Sequence, residues 1–126
     1  MTADSIEGLF AQASREITVS RDGWAKRNAG LARVAARRAA GMAIRATLLV
    51  EPVAAAGSNF MHHLSYLADA TTVPLAVRES AWRLANRPAP GDGFQASDPM
   101  PTQPAQDAES ILAWAQSSVR VVSDAT

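Results

Sequence analysis

Between residues 22 and 50 the chain keeps one helical period. Trp24, Leu31, Ala35, Met42 and Leu49 recur on one side, and Ala25, Ala32, Ala36, Ala39 and Ala43 continue the same face. Positions three and four apart meet on one side of an α-helix, so this face is wide and apolar, half large side chains and half alanine. Unbroken, the helix would be about 43 Å long at ~1.5 Å per residue. Alanine lets a neighbouring backbone approach closely, and the stretch therefore predicts the central helix of its domain. Gly30 and Gly41 are the points where it would bend or end. A face this long must be covered by other elements. Aromatic residues are only 6% of the chain and β-branched alternation is nearly absent, so those elements are predicted to be helices.

Four further helices follow from spacing. The first is predicted over about 5–17, with Ile6, Leu9, Phe10, Ala13 and Ile17 as its stripe. Asp4 would cap it, with Glu7 completing a capping box, and TVSRDG would interrupt the pattern before the central helix. After the turn at Glu51 and Pro52, Asn59 or Ser58 begins a short helix over 60–70, carrying Phe60, Leu64 and Leu67 inward. A second short helix covers 74–86, with Val77, Ala81 and Leu84 at helical spacing. The closing helix covers 105–122, with Ile111, Ala115, Val119 and Val122 on one side. Residues 87–104 hold five prolines and two glycines and predict a long irregular loop. The fold class is thus all-α: a compact, mainly antiparallel bundle of four to five helices around one long helix, with residues 1–126 as a single domain.

Composition narrows the function classes. A chain of 126 residues that is 48% hydrophobic holds a real core without staples. Cysteine is absent, which removes disulfides, thiol nucleophiles and thiolate metal sites. The apolar run GMAIRATLLV contains Arg45 and is too short for a membrane span, which needs about 20 residues. The opening MTADSIEG is acidic and mixed, unlike a signal peptide, and the expected location is the cytoplasm. No spacing of histidine and carboxylate matches a metal site, and no cofactor is expected.

Charge is unevenly spread. Residues 21–50 carry seven basic side chains against Asp22 alone, whereas the whole chain balances 12 against 12. Lys26, Arg33 and Arg37 on this basic side are the candidates for contacting nucleic acid, a reading that the neutral total does not reinforce. The adjacent His62 and His63 are the candidate general bases of an enzymatic alternative acting on a nucleotide or other phosphorylated ligand. Arg78 and Arg83 would steady its negative charge. Adjacent histidines point about 100° apart on a helix, so the pair does not form a metal-ligand motif. Trp24 and Trp114 lie on or beside apolar stripes and are the candidate interface anchors.

The long alanine-rich helix ARRAAGMAIRATLLVE, the following MHHLSYLAD and the closing AESILAWAQSSV together resemble HEPN-type helical domains over residues 22–122. In that family a His-Leu pair, here His63-Leu64, often opens the helix after the long one. Catalytic HEPN members are ribonucleases that carry an arginine, a polar-containing gap of four to six residues, and then a histidine. Here the nearest upstream arginine is Arg45, 17 residues before His62, so ribonuclease activity is not expected. The resemblance instead implies a noncatalytic accessory role, with a heterologous partner such as a nucleotidyltransferase. The reading from residues is an interaction module. Short neighbours leave part of a long helix uncovered, which predicts a homodimer with Trp24 or Trp114 at the interface and arginines at its rim.

Overall fold

The computed structural model describes residues 2–85 and 103–125, with side chains over 6–85 and 103–122. The described residues form five α-helices and no strand: α1 Thr2–Ala25, α2 Ala29–Val50, α3 Phe60–Asp69, α4 Leu75–Leu84 and α5 Pro104–Ala125. A short 3₁₀ turn, Ala54–Ala56, joins α2 to α3. The loop expected over 87–104 lies almost wholly outside the described residues.

The helix expected over 22–50 is two helices. The chain turns over Lys26–Asn28, with Arg27 in the left-handed region at φ 62°. Asn28 N–H donates to the Gly23 carbonyl at 2.7 Å, closing α1. The Asn28 side chain then accepts from Leu31 N–H at 3.0 Å and caps α2. Asn28 falls within the apolar arc of a continuous wheel only because that wheel runs through the turn.

α1 is correspondingly longer than 5–17. It begins at Thr2, ahead of Asp4, and runs through TVSRDG to Ala25. Packing against α2 holds that segment helical despite its weak local preference. Ser20 is buried and donates its hydroxyl to the Ala32 carbonyl at 2.7 Å. A Cβ on Gly23 would meet Ala32 N at 3.2 Å, so glycine permits close approach where the two helices join.

α2 is the central element and packs against α1, α3, α4 and α5. Its inner face is Ala32, Ala35, Ala36, Ala39, Ala40, Ala43 and Ala46, with Ile44, all buried. The larger core residues come from its neighbours: Leu64 and Leu67 from α3, Leu84 and Trp82 from α4, Ile111 and Leu112 from α5. α1 runs antiparallel to α2 through the tight turn. α5 runs antiparallel to α1, with Arg21 paired to Glu109, and Ser14, Thr18, Leu112 and Gln116 lining one shared cleft.

Candidate functional site

The sequence-predicted residues do not form one site. His62 is exposed, whereas His63 is 2% exposed and sits inside the bundle. The Asn59 side chain accepts from His62 N–H at 2.8 Å, starting α3 and fixing which histidine turns inward. His63 Nδ1 lies 2.9 Å from the Ala56 carbonyl, which can only accept, so Nδ1 carries the proton. Its Nε2 then accepts from Arg45 Nε at 3.4 Å. Arg45 continues the cluster by donating to the Ser58 carbonyl at 3.0 Å and lying 4.5 Å over the Phe60 ring. The neutral imidazole thus ties α2, the 3₁₀ turn and α3 together.

Burial holds the His63 pKa below its ordinary value. The bond to Ala56 opposes that shift, and Arg45 and His62 add to it. Because the folded pKa lies below the unfolded value, the unfolded chain binds more protons as pH falls through about 6.5. Stability associated with His63 is therefore fully present above that pH and is lost below it. Urea titrations are expected to show a fall between pH 7.5 and 5.5 that is smaller in His63→Gln. Equal pH slopes in the two proteins would refute the assignment.

Arg78 and Arg83 have partners other than the histidines. Arg83 grips the buried Asp107 carboxylate with Nε at 3.1 Å from both oxygens and Nη2 at 2.8 Å from one, and Nη2 also reaches Ser80 at 3.4 Å. That pairing raises its pKa and joins α4 to the first turn of α5. Arg78 stacks 5.5 Å over Trp82, with its buried Nε unpaired. The enzymatic arrangement of histidine with Arg78 or Arg83 is therefore not assembled among the described contacts. Arg45, not singled out as a site residue, is the arginine that meets His63. Its distance in sequence hid it, since only the α2–α3 packing brings the two together.

Of the proposed nucleic-acid residues, Lys26 and Arg33 are exposed and pair with no described carboxylate. Arg37 is half-buried and donates to the Leu84 carbonyl at 2.6 Å, closing the end of α4. Burial, with Arg33 nearby, lowers its pKa. Trp24 and Trp114 are half-buried, and Trp114 packs against the core. No group of three or more His, Cys, Asp or Glu among the described residues is placed to hold a metal ion. No described helix is long and apolar enough to cross a membrane.

A further concavity lies elsewhere, along the seam of α1 and α2. An open groove of about 650 Å³ is lined by Gly8, Leu9, Gln12 and Arg15 of α1 with Arg45 and Leu49 of α2. It continues a stripe of α2 at spacings of three and four: Leu31, Val34, Arg38 and Leu49, exposed, with Met42 and Arg45 half-buried between them. Leu31, Val34 and Leu49 are each 42% exposed, and Val19 on α1 is 40% exposed. No family model, curated protein or solved structure matches the chain, so the likeness to HEPN domains rests on the sequence segments quoted above.

Proposed function

We propose that this domain is a noncatalytic interaction module whose docking face is the outer side of the α1–α2 pair. The observation that carries this is the stripe from Leu31 to Leu49 along the most central helix, where Leu31, Val34, Arg38 and Leu49 are exposed and Met42 and Arg45 half-buried between them. Four of the large exposed apolar side chains, Val19, Leu31, Val34 and Leu49, belong to α1 and α2. Isolated exposed leucines are ordinary on a surface, whereas a periodic series on one helix face is what docking requires. Chemistry has less support: His63 is sealed in the bundle and engaged at both nitrogens.

Photo-crosslinking in the source cells tests the reading. A crosslinking residue at Val34 or Leu49 is expected to give discrete protein adducts, while one at the exposed Ser117 of α5 gives none. Adducts absent from both α2 positions, or equal at all three, would remove the proposal.

Nucleic-acid binding is the second reading, favoured by one observation. Lys26, Arg27, Arg33 and Arg38 are exposed around the α1–α2 turn and the start of α2, and no described carboxylate pairs with them. It predicts nuclease-sensitive adducts and an affinity for RNA that falls steeply with salt. Salt-independent or absent RNA binding would exclude it.

A further inference from the structure

We infer that the partner of the α1–α2 face is an acidic amphipathic helix. The inference rests on the docking-face reading above and adds the chemistry of the occupant. The stripe from Leu31 to Leu49 covers about five turns, or roughly 27 Å, which is the length of a partner helix of about 18 residues. Its apolar members are partly sunk between α1 and α2, leaving a shallow furrow that suits the ridge of another helix.

Charge decides what that helix carries. Arg15 on α1 and Arg45 on α2 line the groove, Arg38 lies on the same stripe of α2, and no carboxylate is among the groove's described lining residues. Glu16, half-buried on α1, makes no ion pair with any of them. Elsewhere the fold does match arginine to acid: Arg21 meets Glu109, and Arg83 meets Asp107. The three furrow arginines therefore offer positive charge to an incoming surface. Arg45 is also held in place by Ser58 and Phe60, so part of that charge is pre-positioned.

A second copy is the poorer occupant. In a two-fold dimer through this face the same patch meets itself, bringing the arginines of both copies into one interface. Like charges brought together at an interface oppose association. A helix with leucine-type residues at spacings of three and four, flanked by glutamate or aspartate, buries the stripe and places carboxylates beside Arg15 and Arg38.

The test uses two synthetic 18-residue helical peptides with the same leucine stripe, one flanked by glutamate and the other by lysine. Each is titrated into the full ¹⁵N-labelled chain. The glutamate peptide is expected to bind and to shift the amides of residues 8–19 and 31–49. The lysine peptide is expected to bind at least about tenfold more weakly, as electrostatic complementarity requires. The double variant Arg15→Glu, Arg38→Glu should reverse that preference with an unchanged melting temperature, since both side chains are exposed. Equal binding of the two peptides would overturn the acidic partner while leaving an apolar docking face. A dimer by light scattering that Leu49→Glu dissociates would overturn it in favour of a second copy. Failure of both peptides, with position-specific crosslinks from Val34 and Leu49 retained, would refute the acidic helix alone. Failure of both peptides without those crosslinks would refute the docking face as well.

Discussion

Leu67→Ala is expected to lower the unfolding free energy by about 3 kcal/mol, within the ~2–5 kcal/mol range for emptying a buried leucine site. Leu67 is fully buried on α3, and the inner face of α2, against which α3 packs, is largely alanine. Alanine packs helices closely but supplies little volume, so a few large side chains fill most of the core: Ile44, Leu64, Leu67, Leu84 and Ile111. Alanine side chains have no rotamers with which to fill the cavity left behind. A chain of this size should lose on the order of 10 °C in melting temperature. Urea denaturation gives the free energy directly, with an unchanged slope if the denatured state is unaffected. A loss below about 1 kcal/mol would mean that the site collapses, contrary to the packing described.

Gly41→Val should act where α2 meets the start of α3. A Cβ at position 41 would lie 2.3 Å from Phe60 Cγ and 2.5 Å from Phe60 Cβ. These atoms are at the base of the Phe60 side chain, so a rotamer change does not relieve the overlap and α3 must move. Overpacking of this kind costs about 1–3 kcal/mol, occasionally more, and the high end is expected here. The displacement would also disturb the stacking of Arg45 on Phe60 and the bond from Arg45 to His63. Gly8 provides the contrast, because a Cβ there meets nothing within 4 Å. Gly8→Ala should raise stability by up to about 1 kcal/mol through helix propensity alone. Thermal melts of the two variants that moved in the same direction would contradict this account.

The fold class was legible because helical periodicity survives without knowledge of neighbours. α3, α4 and α5 begin and end within two or three residues of the positions their stripes predict. The α1–α2 boundary was not legible in the same way. Its apolar face has nearly the same phase on both sides of Lys26–Asn28, so a wheel passes through the turn undisturbed. The available signal was local: Asn28 followed by Ala-Gly, a side chain suited to capping rather than to burial. TVSRDG was misread for the opposite reason, since its helix depends on Ser20 and Gly23 meeting Ala32, a tertiary contact.

Site residues were less legible still. Arg83 and Asp107 are 24 positions apart, and Arg45 and His63 are 18 apart. Spacing within one helix carries no information about such pairs. The outer stripe of α2 was visible as residues but not as a surface. Leu31 and Leu49 read as part of the same apolar face as the alanines, and only the alanine half of that face is buried. Which face turns inward is decided by how closely the neighbours approach, and the alanine face allows the closer approach.

The tight turn between α1 and α2 also bears on the expected order of folding. It joins two long helices through three residues, so their mutual surface forms by zipping contacts that are near in sequence, at little cost in loop closure. α5 covers α2 only after the chain has passed through α3 and α4 and returned. Local contacts form faster than distant ones. The N-terminal hairpin is therefore expected to form ahead of the docking of α5, so substitutions at the α1–α2 seam should slow folding more than substitutions on α5 do.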